Sequence, residues 1–187
     1  MHNLPNLITL VRLGLVPVMA WYAVSGTYAV AVPVFLLAAL SDLADGYLAR
    51  RFDLVSRLGA ALDPAADKLN MLAATLVLAW QDLIPIWLAM AIIGRDIVIV
   101  LGALGFRLAR GHLKIAPTRL SKLNTFIEFA VLLLVMATAA NWLETGGWMQ
   151  ALFALVLVTV VASGTQYVWR WSRMALDGRR VSRNPSP

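Results

Sequence analysis

The sequence predicts an all-α integral membrane protein: six transmembrane helices with both termini cytoplasmic. Three observations carry that expectation. Of the 187 residues, 60% are hydrophobic and only 14% charged, whereas a soluble domain is usually about half apolar and a quarter charged. The apolar residues gather into runs of roughly 20, the length that crosses a bilayer core. The Lys and Arg residues gather in every second connection between those runs.

Taken in order, the runs are 6–24, 28–49, 60–80, 83–106, 120–140 and 147–169. Turn-forming residues separate them. Ser25-Gly26-Thr27 parts the first two, Gln81-Asp82 the third and fourth, and Asn141 to Gly147 the last two. A secretory leader is a poor reading of the start, because no Lys or Arg precedes Arg12 and Arg12 itself interrupts the apolar run. Residues 1–175 read as one membrane domain, and 176–187 as a polar, mobile tail.

Charge orients the runs. Arg50, Arg51 and Arg57 lie between the second and third. Arg107, Arg110, Lys114, Arg119 and Lys122 lie around the connection of the fourth to the fifth, and Arg170, Arg173, Arg179, Arg180 and Arg183 follow the sixth. The alternate connections, 25–27, 81–82 and 141–146, carry no Lys or Arg. The positive-inside rule then puts the basic connections in the cytoplasm. The net charge of +6 is topological on this reading, and no nucleic-acid partner is expected. The absence of cysteine excludes thiolate metal sites, and His2 and His112 are too far apart in sequence to suggest a zinc site.

Asp42, Asp45, Asp63 and Asp67 lie near the cytoplasmic ends of the second and third runs. A carboxylate at the centre of a membrane helix costs roughly 2.5–3.5 kcal/mol, and less near the interface. Four of them so close together need a reason. The spacings i, i+3 and i, i+4 put each pair on one helix face. The short connection makes the two helices antiparallel neighbours, so the acidic faces can meet. Arg50 and Lys68 are available to neutralise part of the charge, and one or two divalent cations would do so better. With no His or Cys at hand the donors are all oxygen, which selects Mg²⁺ or Mn²⁺. Such ions bridge phosphate oxygens and stabilise a leaving group, which points to a diphosphate substrate. Gly46, Ala49 and Gly59 add small residues along these helices. Taken singly they are ordinary packing residues; beside four aspartates they read as room for a ligand.

The run Asp42-Leu43-Ala44-Asp45-Gly46-Tyr47-Leu48-Ala49-Arg50, followed by Gly59, Asp63 and Asp67, resembles the motif DxxDGxxAR(x8)GxxxDxxxD of the CDP-alcohol phosphatidyltransferases at all eight fixed positions. The resemblance implies that a phosphatidyl group passes from CDP-diacylglycerol to an alcohol, with release of CMP. It implies that Asp42, Asp45, Asp63 and Asp67 hold two ions of Mg²⁺ or Mn²⁺. It makes Asp67 the general base, and it has Gly46, Ala49, Arg50 and Gly59 line the CDP site. It also implies a homodimer, for which Gly94, Gly102 and Gly105 offer close helix contact. The expected location is a bacterial inner membrane, with the active site facing the cytoplasm.

The opening Asn3 to Arg12 resembles the start of both the phosphatidylglycerophosphate synthases and the cardiolipin synthases of that family. Asn6, Thr9 and Arg12 are expected near the donor phosphates, although Arg12 would also suit a side chain snorkelling to the interface. An Arg inside a membrane helix needs a partner or a ligand. Asp96 adjoins Arg95 but is expected to point elsewhere on the helix, so Arg95, Arg119 and Lys122 form a candidate pocket for an acceptor phosphate. That pocket favours glycerol 3-phosphate. The alternative is phosphatidylglycerol, because Ser121-Lys122-Leu123-Asn124-Thr125 is more similar to the cardiolipin synthase branch. Glu128 receives no role. A cation transporter is the remote rival, disfavoured because the acids lie at one membrane face and no inverted repeat is visible. If Asp63 is a metal ligand, Asp63→Asn abolishes phosphatidyl transfer while the unfolding midpoint in detergent is kept. Substantial transfer by that variant at ordinary Mg²⁺ contradicts the assignment.

Overall fold

The structure is a computed structural model. It describes the backbone of residues 4–52, 57–110, 118–144 and 146–183, and the side chains of 10–41, 68–105, 118–144 and 146–173. Among the described residues six helices follow one another: α1 (Leu4–Val24), α2 (Tyr28–Phe52), α3 (Arg57–Trp80), α4 (Ile86–Arg110), α5 (Arg119–Ala139) and α6 (Met149–Arg183). No strand occurs among the described residues. Ile86–Gly105, Arg119–Ala139 and Met149–Arg173 are long and apolar enough to cross a membrane. The described apolar stretches of the other three, Leu10–Val24, Tyr28–Ser41 and Lys68–Trp80, are shorter.

The odd-numbered helices all stop in the same way. At the end of α1, Thr27 N–H donates to the Tyr22 carbonyl (2.9 Å) and Gly26 N–H to that of Ala23 (3.1 Å). At the end of α3, Leu83 and Asp82 donate likewise to Leu78 (2.9 Å) and Ala79 (3.2 Å). At the end of α5, Trp142 and Asn141 donate to Ala137 (3.0 Å) and Thr138 (2.9 Å). This paired pattern is the Schellman cap, which needs a left-handed residue at its apex. Gly26, Asp82 and Asn141 fill that place with φ of 74°, 56° and 59°. Gly, Asn and Asp tolerate this conformation best, which is why the breaks are visible in the sequence. The Gln81 side-chain amide then donates to the Val24 carbonyl at 2.8 Å, tying the end of α3 to that of α1.

Most ends lie within a few residues of the expected bounds, and two of the differences are informative. α4 starts at Ile86 because the Schellman turn uses Leu83 and Ile84, and the Pro85 carbonyl accepts from Leu88 and Ala89 (2.9 and 3.2 Å). α6 continues through Asp177 to Arg183, so the first part of the segment expected to be a mobile tail is helical.

α1 packs on α2 and α3, and α6 on α4 and α5; α2–α5, α3–α4 and α3–α5 contacts join the two groups. Phe35 of α2 stacks on Phe129 of α5, with ring centroids 4.9 Å apart and planes 19° from parallel. Met19, Leu78, Leu88, Leu132 and Met136 fill the interior around them. The perimeter is apolar too. Trp21, Trp80, Trp87, Trp142 and Trp148 are all exposed and lie at the helix ends beside the three Schellman turns, as in the aromatic belt of a membrane–water boundary. In such surroundings lipid is as apolar as leucine, so close packing and internal polar contacts hold the helices together.

Close packing is most acute between α4 and α6. A Cβ on Gly102 would lie 1.9 Å from Cζ3 of the Trp171 ring, whereas Gly94 and Gly105 have open space beside them. Of the three glycines expected to serve a homodimer, Gly102 is therefore already used within the chain. Gly102→Ala is expected to cost about 1–3 kcal/mol by overpacking, read as a lowered unfolding midpoint in detergent. Trp171→Phe in the same background restores part of the loss. An unchanged midpoint in Gly102→Ala would mean that the α4–α6 spacing yields freely.

Candidate active site

α2 is helical through Asp42, Asp45, Gly46, Ala49 and Arg50, and α3 through Gly59, Asp63 and Asp67. With no break in either helix, the i, i+3 and i, i+4 spacings keep each aspartate pair on one face. α2 and α3 are in contact, and four residues join them, so they run antiparallel and bring both pairs to the same end of the bundle. Four carboxylates at that end would make a donor set that fits a hard divalent ion. The side chains of residues 42–67, and those of Asn6 and Thr9 on α1, lie outside the described residues. Arg12 is described, and it is only 1% exposed, so it is turned into the bundle.

Next to Asp67 the described residues form a charged centre that runs from a half-exposed Lys68 to the buried Arg95. The Lys68 ammonium of α3 lies 2.9 Å from Asp96 Oδ2 of α4. Asp96 Oδ1 accepts from Arg95 Nη1 at 2.7 Å. Arg95 Nη2 donates to the hydroxyls of Ser121 on α5 (2.7 Å) and Ser163 on α6 (2.9 Å). Gly164 lies against the stem of the same arginine. Thr118 fixes where α5 begins: its hydroxyl accepts from Ser121 N–H at 3.1 Å as an N-cap. That cap sets Ser121 inward, while Arg119 and Lys122, beside it in the first turn, are exposed.

One expectation changes here. Asp96 does not point away from Arg95; successive side chains leave a helix about 100° apart, but the arginine stem is long enough to bring its guanidinium round to the carboxylate. Lys68, expected among the counter-charges of the four aspartates, pairs with Asp96 among the described residues. The three cations of the expected phosphate pocket therefore occupy different surroundings: Arg95 is buried and bonded to protein oxygens, whereas Arg119 and Lys122 face outward. Ser163 escaped the sequence reading. Its signal is a small polar residue beside Gly164 in an otherwise apolar helix.

Glu128 of α5 is buried and accepts from the Asn124 side-chain amide at 3.1 Å. It lines a cavity of about 540 Å³ with Lys68 and Asp96, whose remaining walls include Leu69, Leu72 and Ile97. Two cations, Lys68 and Arg95, thus stand near two acidic residues, Asp96 and Glu128, and polar side chains among apolar helices gather in this way.

The fold and this centre define a class: a helical membrane protein with an apolar perimeter and a set of paired charges between its helices. The family follows from comparison. A model of the CDP-alcohol phosphatidyltransferases matches residues 2–165, and the chain belongs to that family. It is 35% identical over 180 residues to a cardiolipin synthase (CMP-forming) / mitochondrial hydrolase fusion protein of Schizosaccharomyces pombe, covering 88% of this chain and 30% of that protein. It is 31% identical to the cardiolipin synthase (CMP-forming) of Homo sapiens, over 88% of this chain and 60% of that one. With the CDP-diacylglycerol--glycerol-3-phosphate 3-phosphatidyltransferase of Bacillus subtilis the identity is 32%, over 93% and 98% respectively. The chain thus spans about a third of the first of these eukaryotic proteins and under two thirds of the second.

Removing the guanidinium would strand Asp96 opposite Lys68 alone and leave two serine hydroxyls unpaired. Arg95→Met is expected to cost about 3 kcal/mol, the lower end for breaking a buried pair, because the Asp96 side chain is 30% exposed. Equilibrium unfolding in detergent measures it. Wild-type stability in Arg95→Met would show that the contacts to Ser121 and Ser163 hold nothing together.

Proposed function

We propose that the protein transfers a phosphatidyl group from CDP-diacylglycerol to a glycerol-type alcohol, with glycerol 3-phosphate as acceptor. One observation carries the reading: a chain of this family has all eight fixed motif positions on two contacting antiparallel helices. The acceptor oxygen forms a bond to the phosphatidyl phosphorus and the bond to the CMP oxygen breaks. Asp67 takes the hydroxyl proton as the new bond forms. Asp42, Asp45 and Asp63, together with Asp67, are the residues to hold two ions of Mg²⁺ or Mn²⁺, which supply neutralising charge to the diphosphate. Gly46, Ala49 and Gly59 leave room for the nucleotide, with Arg50 beside it. Asn6, Thr9 and Arg12 serve the donor phosphates from α1.

Arg119 and Lys122, exposed at the start of α5, are the cations for the acceptor phosphate. Arg95 supports them from behind by fixing Ser121. The match to the Bacillus subtilis protein over nearly its whole length favours glycerol 3-phosphate. Phosphatidylglycerol is the second reading. It is favoured by the apolar-walled cavity beside Lys68, which suits an acceptor arriving from the lipid phase, and by the relatives named cardiolipin synthase.

The alternation of basic connections and Schellman turns supports six spans with both termini cytoplasmic, in a bacterial inner membrane with the aspartates facing the cytoplasm. The protein works as a homodimer. The deciding experiment supplies purified protein with CDP-diacylglycerol, Mg²⁺ and each alcohol in turn, and follows CMP release. Wild type is expected to use glycerol 3-phosphate, Asp67→Asn to use nothing, and Lys122→Ala to show a raised acceptor KM with the donor KM kept. Turnover with phosphatidylglycerol alone moves the assignment to the second reading. Ion flux without CMP release overturns the enzyme reading altogether.

A further inference from the structure

We propose that Asp96 is a positioning residue for the metal-holding carboxylates, acting through Lys68 to set the rotation of α3 at Asp67. The inference rests on Asp63 and Asp67 being metal ligands.

Lys68 directly follows Asp67, so whatever fixes the direction of one fixes the direction of the other, about 100° round the helix. Asp96 grips Lys68 at 2.9 Å and Arg95 at 2.7 Å with its two oxygens. Arg95 is held in turn by Ser121 and Ser163. One carboxylate therefore references α3 to three other helices at the residue beside the proposed base. Buried Met71, Ala74 and Leu78 seat the rest of α3, but towards α4 apolar packing does little of this work. The cavity of about 540 Å³ lies between α3 and α4 at Leu69, Leu72 and Ile97, so the ion pair bridges the helices where their walls stand apart.

The required precision is high. A side-chain tip lies about 5–6 Å from a helix axis. A turn of about 20° moves it by about 2 Å, ten times the tolerance of about 0.2 Å in a metal–ligand distance. Loss of a group that orients metal ligands typically costs about 10–100-fold in metal affinity or activity.

The test uses purified wild type, Asp96→Asn and Asp96→Glu. It measures Mn²⁺ binding by electron paramagnetic resonance, transfer kinetics and the unfolding midpoint. Asp96→Asn is expected to weaken Mn²⁺ binding about 10–100-fold and to lower kcat. Its acceptor KM should stay within about twofold of wild type, and Asp96→Glu should recover most of the binding. A lowered midpoint with Mn²⁺ affinity unchanged marks a purely structural role and overturns the proposal. If Asp96→Asn does not fold, Lys68→Met removes only the α3 end of the tie, and wild-type Mn²⁺ affinity in that variant overturns the proposal equally. A wild type that binds Mn²⁺ but transfers to no alcohol sinks the reaction and leaves the positioning role supported. A wild type that binds no Mn²⁺ removes the ligand assignment and this inference with it.

Discussion

A charge inside a bundle of apolar helices has to find its opposite within the bundle, because neither lipid nor neighbouring leucines can solvate it. Arg95 shows how much follows from that requirement. Its guanidinium is nearly enclosed, and it reaches one carboxylate and two hydroxyls on three helices. Lys68 adds α3 through the same carboxylate. In a soluble protein the burial of leucine and phenylalanine would hold such helices together. Here the hydrophobic effect does not distinguish a helix neighbour from a lipid chain, and directional contacts carry more of the specificity.

The same requirement explains why the polar residues are few and clustered. Ser121, Asn124 and Glu128 follow one another along α5 at intervals of three and four, so they share one face, and all three are buried. Ser163 meets them from α6 through Arg95. The opposite faces of these helices carry Phe126, Val158 and Val161, which are exposed and suited to lipid.

Much of this was legible beforehand, for physical reasons that differ by element. The breaks were readable because a left-handed apex admits few residues, and Gly26, Asp82 and Asn141 are among them. The start of α4 was missed by three residues because Leu83 and Ile84 are apolar yet belong to the turn. Arg95 stood out as a cation in an apolar run, but its partners did not: Ser163 is 68 residues away, and no local pattern joins the two. Asp96 was misdirected because a helical wheel locates the first carbon of a side chain, whereas an arginine acts about five bonds further out. The aspartate motif was the most legible feature, since two helical spacings and an acidic composition define it without any knowledge of the fold.

The three Schellman turns bear on how the molecule can move. Each closes a helical pair at one end within a few residues, and Gln81 laces two of those ends together. Such a connection has no slack, so the helices of a pair cannot slide along one another. What remains is splaying, as fingers spread from a fixed knuckle, and at the far end the ties of Asp96 and Arg95 to α3, α5 and α6 limit even that. A bundle fastened in this way is closed on its tryptophan-ringed side and can loosen only at the other.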